Sequence, residues 1–525
     1  MGLACSLLLG ALSVRPVRAA KELVVRLDGM ELPFSIEDLG GWLRSEGRRR
    51  SELGIWLNLL EEENRKGVSD LLQAPLINDR SMARQMLNSW AGRRLLDQVS
   101  DLVLVDGDAT GRTVQITLEQ LLDERRQVTT MDLLEALPAQ RVRLDLDALL
   151  PVASSWRRQL QRQQALVKNL NQQPVSAINQ TLTASPGMGV PVASDRDLQR
   201  LALPVDHRDR PLQLQLWQPS VSNSSQRRHW LVLMPGLGGS PDHFRWLGRA
   251  LSRQGWPVLV LEHPGSDAIA VQALLEGRRP PPGAEVIPER LMDLDAVLAA
   301  WEEGTLDLPS NRLVLGGHSL GALTALLAAG ALPEHGLSRR CGQDLDDLPI
   351  NNLSRLLQCQ IEDVSLPRVT PPDGLSGVVG LNSFGSLLWP RRLPLPEHVP
   401  VFLSGGTLDL ITPPLSEQLG LLRSLPRNPG TRVVLVEGAS HFSPVRVEGQ
   451  ANSGQGEDVF QLGEELVGVQ PLQVQAQLEK EIGRFLLDLE EGVMSGSVPG
   501  GVEHLQVGDL HLHRLDQTGA ARLLD

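Results

Sequence analysis

The stretch Leu313–Gly330, "LVLGGHSLGALTALLAAG", constrains the fold of this chain more than any other. A short apolar run meets paired glycines, then a serine, then small and apolar residues at helical spacing. That order spells strand, sharp turn and helix. Gly317-His318-Ser319-Leu320-Gly321 fits G-x-S-x-G in this setting. A serine lifted above a sheet edge on such a turn sits in strained backbone. Side chains two positions before and after it would strike the neighbouring strand and helix, hence Gly317 and Gly321. The stretch by itself fits a turn serine as well as a nucleophile. Residues elsewhere in the chain decide between the two.

A nucleophilic serine needs a base within hydrogen-bond reach and a carboxylate to hold that base. In a strand–turn–helix architecture of this kind, acid and base follow the serine in that order, each past a later strand. "VFLSGGTLDLITPP" places Asp409 after an apolar strand, and "TRVVLVEGASHFSP" places His441 after the last strand. Two backbone donors must face the oxyanion. The amide of Leu320 is one, and the glycine-rich "PGLGG" after "HWLVLM" offers Leu237 as the other. His263 and Asp267 are expected to line the cleft, in the wrong order to be base and acid. Asn382 ends the strand "GVVGLNSFG" and has no carboxylate to offer. His504, His511 and His513 are read as solvated residues of a C-terminal tail. No metal-ligand cluster and no phosphate-binding loop is found in the sequence, so neither a metal nor an organic cofactor is expected.

The rest of the chain divides by texture. Residues 1–20 have an apolar core from Leu3 to Val14 and a small-residue cleavage site at Val17-Arg18-Ala19, which fits a secretory signal. No other stretch reaches the roughly 18 apolar residues of a spanning helix. Residues 21–173 read as a mainly helical N-terminal domain. It opens on a hairpin in "KELVVRLDGMELPFS" turned at Asp28-Gly29, and Ser35 starts a helix. Its last helix carries Trp156, Leu160, Val167 and Leu170 on one stripe. Residues 174–197, rich in Pro, Gly and Ser, form a linker.

Residues 198–492 alternate eight apolar strands with helices, which predicts an α/β domain built on a mostly parallel sheet covered on both faces. An insertion at 333–372 is a candidate lid over the site. Residues 493–525 form the tail. If the signal is removed, Cys341 and Cys359 remain as an even pair, and a disulfide between them accords with export to the periplasm or medium. The net charge of −13 argues against nucleic acid as a partner, and the absence of Tyr leaves few stacking platforms for single strands.

From about Leu198 to Leu489 the chain resembles an α/β-hydrolase. "MPGLGGSPDHFRWLGRALSRQGWPVLVLEHPGSD" together with "GHSLG" is similar to the platelet-activating-factor-acetylhydrolase-like and dienelactone-hydrolase-like branch. The resemblance implies serine-dependent cleavage of carboxylic esters, including lipids with short acyl chains. The expected partner is a small-molecule or lipid ester, with peripheral membrane contact. The acetylhydrolases carry their acid where this chain has Asn382. The order of segments also resembles exported hydrolases of photosynthetic bacteria that carry an N-terminal domain of unknown function. A different class of function, a lipid- or pigment-binding protein on a hydrolase scaffold, and acyl transfer to an alcohol instead of water are the competing readings. The sequence does not indicate an oligomeric state.

Overall fold

A computed structural model describes residues 20–45, 51–58, 61–73, 75–77, 80–106, 108, 111–125, 128–175, 197–219, 227–308, 311–345, 352–445, 470–492 and 498–524. The signal segment and almost all of the 174–197 linker lie outside these residues. The chain divides into two compact units, Met1–Ala153 and Ser154–Asp525.

The first unit opens on the expected hairpin. Strands β1 (Glu22–Leu27) and β2 (Met30–Ser35) run antiparallel, with Asp28 at φ 51° and Gly29 at φ 73° in the turn. Positive φ at both central residues is what a two-residue hairpin turn of this hand demands. Both carboxylate oxygens of Asp147 accept the turn amides, Asp28 N at 2.6 Å and Gly29 N at 3.0 Å. Ser35 caps the next helix, its Oγ accepting Asp38 N at 3.2 Å.

Beyond the hairpin, β3 (Pro75–Ile77) pairs with β5 (Val128–Thr129). Strands β4 (Val103–Val105) and β6 (Arg141–Asp145) complete a four-stranded sheet ordered β2-β1-β6-β4. Helices form most of the described part of the unit, and beyond the opening hairpin the sequence reading did not foresee the sheet that accompanies them. β6 lies parallel to β1 with Arg141 opposite Glu22, so the first and last strands of the unit close on each other. Leu23, Ile36, Trp42, Leu137 and Val142 are buried in one cluster.

The helix Leu146–Asn171 belongs by its sequence texture to the N-terminal domain; from Ser154 onward it groups instead with the second unit. Leu166 and Leu170 are buried there, and Gln163 Nε2 donates to Thr407 O at 2.6 Å. The Trp156 and Leu160 side chains of the expected stripe are outside the described residues.

Among the described residues the second unit has ten strands: β7 (Leu198–Leu203), β8 (Leu212–Trp217), β9 (His229–Met234), β10 (Val258–Leu261), β11 (Arg312–His318), β12 (Leu375–Leu381), β13 (Val401–Gly406), β14 (Arg432–Val436), β15 (Val502–Val507) and β16 (Leu510–Leu515). Their order is β7-β8-β10-β9-β11-β12-β13-β14-β16-β15. The six strands from β10 to β14 in that row are parallel, and the outer pairs at each edge are antiparallel. On one face, Leu247 and Leu251 from helix Arg245–Arg253 pack with Ile482 and Phe485 from helix Pro471–Glu491. They share a cluster with Leu231, Val314, Phe402 and Val434 of the sheet. Alternate residues of β11, such as Leu313 and Leu315, turn to the opposite face, and they too are fully buried. This is an α/β arrangement on a mostly parallel sheet, and the eight strands read from the sequence are its β7 to β14.

The segment beyond residue 492 is not a solvated tail. "VEHLQVGDLHLHRL" folds as the β15–β16 hairpin and extends the sheet beyond β14, and helix Gln517–Leu524 follows it. The reason is the two-residue periodicity: Leu505, Leu510 and Leu512 belong to the main core cluster. His504 and His513 are correspondingly buried.

Candidate active site

The parallel strands bring their C-terminal ends to one edge of the sheet, and each functional side chain leaves from a different strand end. Ser319 directly follows β11 and adopts φ 52°, ψ −118°, a strained conformation for a residue with a side chain. The close packing that forces the turn is visible at its glycines. A Cβ on Gly317 would lie 2.4 Å from Gly321 C, and one on Gly321 would lie 1.9 Å from Met234 O. Neither position admits a side chain. Helix Leu320–Ala328 starts at the serine, so its unpaired amides face the same space.

Asp409 stands three positions past β13 and His441 five past β14. Their side chains meet: His441 Nδ1 lies 2.9 Å from Asp409 Oδ2. Asp409 is fully buried and surrounded by neutral donors. Oδ2 also accepts Thr412 Oγ1 at 2.6 Å and Asn382 Nδ2 at 2.7 Å, while Oδ1 accepts the amides of Thr412 at 2.7 Å and Ile411 at 2.9 Å. Burial would push its pKa up. The neighbouring imidazole and the Thr412 donors outweigh that and hold it at about 2. The carboxylate is therefore ionised throughout the neutral range. Asn382, at φ 47° past β12, reaches the acid as a hydrogen-bond donor.

Ser319 and His441 line one cavity of about 350 Å³, together with Leu237, Leu320, Phe384, Ile411, Phe442 and Val445. Most of these neighbours are apolar. Leu353, Ser354 and Leu357 from the insertion form part of the wall. The Cys341–Cys359 disulfide is present and joins the two insertion helices, Leu337–Asp344 and Ser354–Gln360. Buried Glu417 grips the second of these, accepting Asn352 Nδ2 at 2.6 Å and Gln358 Nε2 at 3.2 Å. Among the described residues, Ser319 Oγ makes no hydrogen bond to His441, a gap common in sites without substrate.

The loop after β9 completes the cavity with Gly236, Leu237, Gly238 and Gly239. A Cβ on Gly236 would come within 3.2 Å of Ser319 Cβ, so this backbone lies directly against the serine. Gly238 N and Gly239 N are engaged, by Ser266 O at 2.8 Å and Gly236 O at 3.1 Å. Neither Leu237 N nor Leu320 N donates to another group among the described residues. Both are thus available to an oxygen bound beside Ser319.

Two residues escaped the sequence reading. Arg290, fully buried on helix Ile287–Glu302, donates to Pro235 O, to Ser266 Oγ at 2.8 Å and to Thr324 Oγ1 at 3.3 Å. It thereby props the loop that carries Leu237. Burial draws its pKa down to about 9, which leaves it a cation at neutral pH. His318 Nε2 lies 2.8 Å from His441 O and ties down the backbone at His441. Burial, then the neighbouring His441, lowers its pKa well below the usual histidine range. "IPERLMDLD" carries no signal that Arg290 faces inward; His318 could have been found from its place beside the serine.

His263 and Asp267 do not line the cavity, contrary to expectation. His263 Nδ1 is bound by Asp293 Oδ2 at 2.9 Å, and Asp267 caps helix Ala268–Leu275 through Ala270 N at 2.8 Å. The expected absence of a metal cluster also needs revision, because Glu437, His504 and His513 lie together at the C-terminal hairpin.

Compared with known families, residues 19–145 match one described as an alpha/beta hydrolase of unknown function (DUF1400). The match supports the superfamily and carries no acetylhydrolase-like or dienelactone-hydrolase-like specificity. The matched residues fall in the first unit, whereas Ser319, Asp409 and His441 belong to the second. No curated protein matches the chain.

Proposed function

We propose that this protein is a serine hydrolase of carboxylic esters, acting through Ser319, His441 and Asp409. The observation that carries this reading is a serine on a positive-φ turn at the wall of a cavity that it shares with a carboxylate-held histidine. Ser319 Oγ attacks the ester carbonyl while His441 Nε2 takes its proton, and the Asp409 bond at Nδ1 fixes the tautomer that leaves Nε2 free to do so. The amides of Leu237 and Leu320 receive the oxyanion. His441 then returns the proton to the leaving alcohol, and a water molecule activated by the same imidazole releases the acid.

The apolar lining supports an ester with an acyl or lipid portion, and the insertion held by its disulfide walls the pocket as a lid. The disulfide also suits an exported protein in an oxidising compartment. Among the described residues no helix is long and apolar enough to cross a membrane, so contact with lipid is peripheral in this reading.

The test is labelling with a fluorophosphonate, alongside hydrolysis of p-nitrophenyl esters of graded acyl length. Wild-type protein should label at one site, with Ser319→Ala taking no label and losing turnover. Absence of labelling in folded wild type, or equal labelling of the variant, overturns the reading in favour of a binding protein.

A further inference from the structure

The C-terminal hairpin gathers a second set of reactive side chains. His511 and His513 are two apart on β16 and therefore point to one face. His504 on β15 is paired directly opposite His513, which puts it on that same face. Glu437, the residue after β14, supplies a carboxylate, and its amide donates to His511 O at 3.0 Å. One ligand atom from each of Glu437, His504 and His513 lies within 4.8 Å of the others.

The pairings inside this cluster are those of ligands with protons between them. His513 Nε2 is 2.6 Å from Glu437 Oε1, and His504 Nε2 is 2.9 Å from His511 Nδ1. The other nitrogen of His504, Nδ1, faces Gln173 O at 3.4 Å. A carbonyl on the outer nitrogen is what orients a metal-binding imidazole and leaves its inner nitrogen as a lone pair. His504 and His513 are buried, and His513 Nδ1 is buried with no partner.

We propose that Glu437, His504 and His513, with His511 as a fourth donor, bind one divalent transition-metal ion of the Zn²⁺ class. Imidazole with a single carboxylate is a donor set suited to Zn²⁺ over Mg²⁺ or Ca²⁺, which prefer oxygen. Bond lengths near 2.0 Å place tetrahedral ligand atoms roughly 3.3 Å apart, a spacing between the 2.6 Å of His513 Nε2 to Glu437 Oε1 and the 4.8 Å within which the three ligand atoms lie, so side-chain shifts are enough to seat the ion. The site is structural. Glu437 begins the loop that ends in His441, and the same loop meets the Asp409 loop through Gly438 N to Thr407 Oγ1 at 2.9 Å and Leu408 N to Ala439 O at 2.9 Å. A bound ion cross-links the hairpin to the base of the loop that carries His441.

The experiment uses the full chain without a polyhistidine tag, stripped with chelator and titrated with Zn²⁺ by calorimetry and with Co²⁺ by visible absorption. One ion per chain should bind, with nitrogen-rich tetrahedral Co²⁺ bands and a melting temperature that rises until one equivalent is added. His504→Asn and His513→Asn should each weaken binding by about 100-fold or more. Glu437→Gln, on a side chain that reaches solvent, should weaken it too and guards against loss of folding in the buried variants. Ser319→Ala should bind as wild type does, which separates this site from the esterase reading. Failure of wild type to bind either ion, or unchanged affinity in the folded Glu437→Gln and histidine variants, overturns the proposal.

Discussion

Two buried aspartates in the second unit each hold a histidine by Nδ1 at 2.9 Å, yet only one pair opens onto the cavity. Asp409 holds His441, which lines that cavity. Asp293 holds His263, whose Nε2 is buried with no partner. Both carboxylates are held at about pKa 2. The difference lies in what else touches them. Asp409 is served by a hydroxyl, an amide side chain and two backbone N–H groups, so its charge is left for the imidazole to feel. Asp293 faces Arg208 through two contacts, Nε at 2.5 Å and Nη2 at 2.8 Å, and His207 Nε2 sits at 2.8 Å. Its charge is taken up by a guanidinium. Burial, then the charge of Arg290, draws the pKa of His263 down to about 4 although Asp293 is beside it. What separates the two pairs is neutral surroundings and access to the cavity in the one, and a competing cation in the other.

The largest effect that can break this comparison is on turnover. Asp409→Asn preserves shape but removes the charge that selects the His441 tautomer, and kcat should fall roughly 10⁴-fold. Ester hydrolysis and fluorophosphonate labelling rate both measure it. Wild-type turnover in Asp409→Asn removes the distinction drawn between the pairs. Asp293→Asn should do the reverse. It strands the mostly buried Arg208, and by the usual cost of breaking such a pair it should lower unfolding stability by about 3–5 kcal/mol. Turnover per folded molecule should persist. Urea unfolding with activity measured below the transition tests both halves, and a parallel collapse of kcat would tie the Asp293 pair to the chemistry.

What the sequence made legible follows the reach of each signal. The elbow at Ser319 is local, because glycine spacing and strand–helix texture suffice to find it. Asp409 and His441 were readable because chain order and strand ends place them, although their contact spans 32 positions. The role of Asn382 was half legible: the absence of a carboxylate showed, the hydrogen bond it gives Asp409 did not. The Arg208–Asp293 network and the prop at Arg290 left no trace, since a buried arginine on an amphipathic helix reads as a surface residue. The C-terminal hairpin was missed for another reason. His504 and the alternating pair His511 and His513 read as polar, while Leu505, Leu510 and Leu512 beside them set a strand period. In the first unit, strands as short as Val103–Val105 carry too few residues to show a period at all.

The smallest effect separates the pairs by pH. The folded pKa of Asp409, about 2, lies below its usual 3.8. Its ionised form therefore contributes stability that is present above pH 3.8 and lost as pH falls through about 2. A lowering of that size corresponds to about 2 kcal/mol. The stability gap between wild type and Asp409→Asn should shrink by that amount over this window. His263 gives the other pair an earlier limb. Its folded pKa of about 4 is below its usual 6.5, so the unfolded chain takes up its proton first and stability falls from pH 6.5 toward 4. His263→Gln should flatten that limb and leave the 3.8-to-2 window of Asp409 in place. Urea unfolding at pH steps from about 7 to about 2 on wild type and the two variants resolves both windows. A limb between pH 6.5 and 4 that survives His263→Gln would place it on another group and dissolve this part of the contrast.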